Sequence, residues 1–217
     1  QKEEVTVGLD YRLLSDRGFG AGEFYRNTTN DLLLNVPVLA DVVATQVLNI
    51  GSLRNTGVDI ALDALLFEND AASFTLGLTF NTNQNEIVDL GGATQLFTGN
   101  ISGEGQSGGT SLLLTPGEEF PIFYGFEFTG DYNGDGSPIF NDYNAVDLDG
   151  DGTVGPLERE LVGTTDAPGD EDRVKLGSPR PDFNYGIRLI GTFGDFGVRA
   201  FFRGEQGREL FNNTTLV

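Results

Sequence analysis

The stretch VDIALDALL, Val58 to Leu66, sets Val58, Ile60, Leu62, Ala64 and Leu66 against Asp59, Ala61, Asp63 and Leu65. A period of two places the two sets on opposite faces of a β-strand. The face that carries both carboxylates must meet water. The face that carries five aliphatic side chains must meet something apolar. A helix would scatter both sets around its circumference, so the reading is a strand with one wet and one dry side.

The alternation recurs along the chain. Val5, Val7, Leu9 and Tyr11 enclose Thr6, Gly8 and Asp10. A less regular stretch runs from Phe19 to Leu34. Phe74, Leu76, Leu78 and Phe80 alternate with Thr75, Gly77, Thr79 and Asn81. Tyr185, Ile187, Leu189 and Phe193 are set against Gly186, Arg188, Ile190 and Thr192. Val198, Ala200 and Phe202 interleave with Arg199, Phe201 and Arg203.

The connections alternate too. Ser15–Gly18, Glu68–Ala71 and Gly194–Gly197 read as tight hairpin turns. Between them lie long links, about Asn35 to Arg54 and Leu90 to Asp182. Short turns at one end and long loops at the other are the pattern of an outer-membrane barrel, whose strands show lipid an apolar face and a wet lumen a polar one. A soluble β-sandwich also alternates apolar and polar residues, and stays open as an architecture.

Composition narrows the chemistry. The 217 residues carry 33 acidic and 13 basic side chains, a formal net charge of -20. Such a surface repels nucleic acid and anionic lipid headgroups and attracts cations. Only Lys2 and Lys175 are lysines, a balance that fits a salty habitat as well as a merely acidic surface. With no Cys and no His there is no disulfide framework, thiolate or imidazole chemistry. Carboxylate pairs of a glycosidase kind are not singled out, and no enzyme activity is expected. No apolar run is long enough for a transmembrane helix. A start at Gln1 fits a piece of something larger.

The densest acidity, DLDGDGTVGPLE, has a calcium-loop pattern. Asp147, Asp149 and Asp151 stand at ligand positions 1, 3 and 5, Thr153 at 7 and Glu158 at 12, with Gly152 at the turn. A divalent cation would neutralise carboxylates that otherwise repel one another. DYNGDGSPIFND is a looser copy, with Asp131, Asn133, Asp135 and Asp142 as its oxygen donors. Pro156 argues against a helix–loop–helix domain, so the loop is expected to act as a structural clip. A solvated cluster of Asx turns is the alternative.

Several stretches in order and spacing resemble the C-terminal part of the barrel of SusC/RagA-type TonB-dependent transporters of Bacteroidetes. They are DLLLNVPV (31–38), NIGSLRNTGVDIAL (49–62), FYGFEFTGDYNGDG (123–136), DLDGDGTV (147–154), GSPRPDFNYG (177–186) and FFRGEQGREL (201–210). The resemblance implies an all-β transmembrane barrel of about 22 strands, with a plug, in the bacterial outer membrane. It implies import of oligosaccharides or peptides, energy delivered through TonB, and a SusD-like surface lipoprotein as partner. Plug, TonB box and closing strand are missing from the resemblance. Residues 1–217 are expected to be part of the barrel, and 90–182 an extracellular loop region. The competing expectation is a soluble, calcium-stiffened β-domain acting as an adhesin or binding module.

Overall fold

The computed structural model describes residues 1–13, 15, 17–37, 45–101 and 109–211. It is all-β, with thirteen strands and one short 3-10 turn among the described residues. The strands are β1 (Lys2–Leu13), β2 (Gly18–Pro37), β3 (Thr45–Glu68), β4 (Ala72–Leu90), β5 (Leu96–Ile101), β6 (Gly109–Leu114), β7 (Ile122–Phe126), β8 (Phe128–Tyr132), β9 (Pro138–Ala145), β10 (Arg159–Thr165), β11 (Arg173–Gly177), β12 (Phe183–Phe193) and β13 (Phe196–Gln206). The chain forms two compact units, one of residues 1–92 and 180–209, the other of residues 93–179 and 210–217.

The first unit is one antiparallel sheet in the order β1-β2-β3-β4-β12-β13. Its strands are the six alternating stretches of the sequence. The hairpin turns are as tight as expected. Asn69 caps the second, its Oδ1 accepting from the backbone N–H of Ala71 at 2.9 Å and Ala72 at 2.8 Å. Phe193 faces Phe196 across Gly194-Asp195, and φ +56 at Gly194 gives the left-handed first position that a type II′ turn needs. Gly194 N–H donates to Ala71 O at 2.8 Å, so two of the turns sit side by side at one end of the sheet.

The first long link differs from its expectation. The β2–β3 ladder runs on to Pro37 opposite Thr45, leaving only 38–44 as connection, and these lie outside the described residues. Register shifts between Thr29, Leu32 and Leu33 break the period of two, and Asp31 takes φ +59 there. A bulge disturbs alternation without ending a strand, so the pattern alone stops too early. A second shift, between Leu65 and Phe67, brings Phe67 opposite Phe74 where the alternation had pointed to Leu66. Their rings stack at 6.3 Å.

Registered rows make the two faces explicit. One face carries Val7, Phe24 and Val58, then Leu9, Ile60, Phe80 and Tyr185, then Leu62, Leu78, Ile187 and Phe202. It stands open: Val5, Val7 and Leu9 are 65%, 64% and 69% exposed. A sandwich would bury these side chains against a second sheet. In the row Val5, Arg26, Thr56 and Gln84, polar side chains end the apolar band on β2, β3 and β4, at the end away from the turns. From Val58 to Phe67 the band spans about 30 Å along the strand, or about 23 Å at a barrel's usual tilt, close to the ~25 Å of an outer-membrane barrel.

The second unit is inserted between β4 and β12, in the stretch expected to be a loop. It holds two small antiparallel sheets, β11-β7-β6-β5 and β10-β9-β8. Leu113, Ile122 and Tyr124 form its buried centre, with Leu157 packed against them. Tyr124 Oη donates to Pro156 O at 3.1 Å. The Arg173 guanidinium lies over the Tyr124 ring at 5.5 Å and donates to Thr110 O at 2.6 Å.

Candidate functional site: a polar sheet face and an acidic loop

The other face of the six-stranded sheet is polar, in three adjacent rows. The first is Glu23, Asp59, Asn81, Asn184 and Glu205. The second is Asp10, Ala21, Ala61, Thr79, Gly186 and Arg203. The third is Arg12, Phe19, Asp63, Gly77, Arg188 and Phe201. Asp59, Asp63, Arg188 and Arg203, singled out by alternation, therefore share one face. Asn81 Nδ2 donates to Asp59, and Arg188 donates to Asp63. Sequence reading missed the middle row as a feature, because small residues become a floor only when four strands align them.

The acidic loop lies in the second unit, between β9 and β10. Carboxylate oxygens of Asp147, Asp149 and Asp151 lie within 4.8 Å of one another. Asp147 Oδ1 accepts from Gly150 N–H at 2.7 Å and its Oδ2 from Gly152 N–H at 3.0 Å. Asp149 Oδ1 accepts from Asp151 N–H at 3.0 Å. Asp151 Oδ1 accepts from both the N–H and the hydroxyl of Thr153 at 2.7 Å, and these bonds hold its carboxyl below the usual range. Glycines at φ +79 (Gly150) and +87 (Gly152) allow the chain to coil around the carboxylates.

Glu158 closes the loop. Its Oε2 accepts from Gly155 N–H and its Oε1 from Leu148 N–H at 2.8 Å, which holds this carboxyl low as well. At the base, Val146 N–H donates to Glu158 O at 3.2 Å. The residues named from the calcium pattern are thus brought together around one turn.

The looser copy is arranged differently. Asp131 is the penultimate residue of β8, and Asn133 to Ser137 form the β8–β9 turn, with Asn133 N–H donating to Ser137 O at 2.8 Å. Asp135 Oδ1 accepts from Ser137 N–H at 2.9 Å. Asp142 lies farther along β9, opposite Gly163, where burial and the neighbouring Asp172 carboxylate push its carboxyl upward. Asn133 Nδ2 donates instead to Asp166 Oδ2 at 2.8 Å. The structure does not gather Asp131, Asp135 and Asp142 into a cluster like that of Asp147, Asp149 and Asp151.

Two polar groups of this unit had no sequence signal. Asp172 is 3% exposed and accepts from the backbone N–H of Tyr143 and of Gly169, each at 2.7 Å. Glu127 accepts from the Tyr143 hydroxyl and from Asn141 Nδ2, which holds its carboxyl low. The loop aromatics Phe97 and Tyr124 pack on each other at 5.8 Å, and Phe123 packs on Phe211 at 6.1 Å.

No family model matches the chain. Among curated proteins it is 29% identical to TonB-dependent receptor P3 of Formosa agariphila, over 99% of this chain and 21% of that protein. It is 30% identical to TonB-dependent receptor P26 of the same organism, over 96% of this chain and 20% of that protein. With TonB-dependent receptor SusC of Bacteroides thetaiotaomicron it shares 30% identity over 69% of this chain and 15% of that protein. The chain spans about a fifth of the length of the first two relatives. Solved structures of the RagAB peptide transporter and of the RagAB peptide importer in its open-open state have the same fold. Their TM-scores are 0.73 and 0.76, at 24% identity, over 93% and 95% of this chain and 20% of each of theirs. These relatives are receptors and transporters, not enzymes. The chain is a segment of the outer-membrane β-barrel of a SusC/RagA-type TonB-dependent receptor.

Proposed function

We propose that this segment forms part of the wall of a nutrient importer for oligosaccharides or peptides, driven through TonB and served by a SusD-like surface lipoprotein. The observation that supports it best is the two-sided sheet, with aliphatic residues more than 60% exposed on one face and charged rows on the other. Such a sheet has a stable place where hydrocarbon covers one side and a wet lumen the other. The inserted unit belongs to the outer surface of the cell in this reading. The test is uptake by cells that carry or lack the intact gene product, with labelled oligosaccharides and labelled peptides. Loss of one class of uptake on deletion, with a lipoprotein co-purifying, supports the reading. Undiminished uptake of both classes overturns it.

The same reading gives the acidic loop a calcium ion, held by the carboxylates of Asp147, Asp149, Asp151 and Glu158 and the carbonyl of Thr153. The fit rests on Asp147, Asp149 and Asp151, whose carboxylate oxygens lie within 4.8 Å of one another, close enough to share a calcium ion at about 2.4 Å from each. The ion would supply charge neutralisation and loop rigidity, not chemistry. With calcium, segment 146–159 is expected to resist protease, and a chelator or Asp149→Ala to expose it. Equal resistance in all three states, or metal analysis showing no calcium, removes the ion from the proposal.

A further inference from the structure

Asn133-Gly134 is the one Asn-Gly pair in the chain, and it lies in the β8–β9 turn. Neighbouring amides of this turn are engaged. Asn133 N–H donates to Ser137 O, Gly136 N–H to Asn133 O at 2.9 Å, and Ser137 N–H to Asp135 Oδ1. Gly134 N–H has no acceptor among the described residues. Gly134 is exposed, and nothing stands within 4 Å of the place its Cβ would take. The backbone nitrogen that follows Asn133 is therefore unbonded and open to approach.

The Asn133 side chain has a structural task as well. Its Nδ2 donates to Asp166 Oδ2 at 2.8 Å. β9 is the middle strand of its sheet, with β8 on one side and β10 on the other. Asn133 follows β8 and Asp166 follows β10. Their bond therefore clasps the two flanking strands across the start of β9, where Tyr132 pairs with Pro138 and Thr165 with Phe140. Just beyond the clasp, Ala167 N–H donates to Thr165 Oγ1 at 3.1 Å. The clasp needs an amide at position 133. A carboxylate there would face Asp166, with Asp131 and Asp135 two residues away on either side.

We propose that Asn133 is a site of spontaneous deamidation, and that this modification opens the clasp to Asp166. The Gly134 nitrogen gives its proton to solvent base and attacks Asn133 Cγ. The new N–C bond closes a cyclic imide, the Cγ–Nδ2 bond breaks, and Nδ2 takes up a proton and leaves as ammonia. Water then adds to one or the other imide carbonyl, which leaves aspartate or isoaspartate at this position. One water enters and one ammonia departs, with no oxidant and no cofactor. Glycine makes the step accessible, because a Cβ on the following residue would crowd the approach to Cγ. The departing atom is the clasp's own donor, so a bond to Asp166 is exchanged for repulsion from it.

The test incubates the intact membrane protein in detergent and follows the peptide spanning 131–137 by mass spectrometry. A gain of one mass unit at Asn133 is expected, faster as pH rises, with isoaspartate detected by its methyltransferase. Gly134→Ala should slow the gain several-fold and leave the turn folded, because Gly134 is not among the glycines of positive φ and its Cβ site is empty. Asn133→Asp reproduces one product, and should speed hydrogen exchange of the segment 165–169 about threefold, the weight of one exposed hydrogen bond. Adding Asp166→Asn should restore slow exchange, since the amide then donates in the opposite direction. A mass at Asn133 that stays unchanged, or that rises equally fast in Gly134→Ala, overturns the modification. Exchange that is indifferent to Asn133→Asp, or that Asp166→Asn does not rescue, overturns the clasp.

Discussion

Arg188 on β12 reaches Asp63 on β3 across the whole width of β4, because the residue between them is Gly77. A side chain there would collide with both: a Cβ on Gly77 would lie 2.6 Å from Asp63 Oδ1 and 3.0 Å from Arg188 Nε. The strand between them is thinned so that two charges of the third polar row can meet. Asp63 is the better covered partner, its side chain 19% exposed against 48% for Arg188.

Gly77→Val is therefore expected to separate the pair. An ion pair this open contributes about 0.2–1 kcal/mol. In a double-mutant cycle with Asp63→Asn and Arg188→Gln, the coupling should be of that size when Gly77 is kept and vanish in the Gly77→Val background. The temperature at which the folded barrel loses its fast gel migration is the readout. Undiminished coupling in the valine background would show that the pair does not depend on the glycine.

Tyrosine and glycine face each other repeatedly across strands: Tyr11 and Gly20, Tyr25 and Gly57, Tyr185 and Gly204. In each case the ring lies where a Cβ on the glycine would stand. A ring laid over a glycine covers backbone that would otherwise be bare, and pins register. A Cβ on Gly57 would come within 2.3 Å of the Tyr25 ring and 2.6 Å of Thr82 O. Gly57→Ala is expected to destabilise the sheet by roughly 1–3 kcal/mol, as overpacking does. Gly22, which has nothing within 4 Å of its Cβ position, is the control. Gly22→Ala should leave the melting of the barrel unchanged or raise it slightly. Equal effects of the two substitutions would remove the tyrosine rings from the account.

The strands were legible from sequence because their period is enforced twice, by hydrocarbon on one side and water on the other. Asp59 and Asp63 could only face one way, and the structure puts them there with Arg188 and Arg203. What alternation could not show is where the period slips. The bulge before Phe67 adds a residue to β3, and the shifts around Asp31 add one residue to β2 and then one to β3. The calcium pattern located Asp147 to Glu158 as one closed turn because its spacing is local. The same pattern read over Asp131 to Asp142 crosses a hairpin, and β9 carries Asp142 off towards Asp172 and Gly163. The inserted unit was read as loop because its strands are five to eight residues long and its centre is small. Asp172 was invisible because nothing local marks a carboxylate that will be buried against the backbone of a distant strand.

Glu127 receives the Tyr143 hydroxyl and the Asn141 amide, and these bonds favour its charged form. Its folded pKa lies below the ordinary 4.5. The stability it contributes is present above the ordinary value and lost as pH falls through the folded one. Tyr143→Phe is expected to cost about 1 kcal/mol at neutral pH, typical of one hydrogen bond. The cost should shrink in acid, where the variant and the parent both carry a neutral carboxyl. Hydrogen exchange of the β8–β9 amides in the intact protein, compared at neutral and acid pH, measures it. A penalty that is independent of pH would mean that the hydroxyl matters for packing and not for the charge on Glu127.

Asp142 titrates in the opposite sense. Burial raises its pKa above the ordinary 3.8, and the charges of Asp172 and Glu171 add to the effect. An acid whose folded pKa is raised binds its proton more readily in the native state. At neutral pH its ionised form therefore opposes folding of this part of the chain, and the opposition fades as pH falls through the folded value. Asp142→Asn removes the repulsion while keeping size and polarity. It is expected to slow proteolysis of the segment 127–173 at neutral pH by a few-fold and to change nothing in acid. If Asp142 were instead a calcium ligand, the same substitution would speed proteolysis in calcium buffer and have no effect with a chelator. The two accounts thus predict opposite signs for one variant under one condition, and the rate of cleavage in calcium at neutral pH separates them.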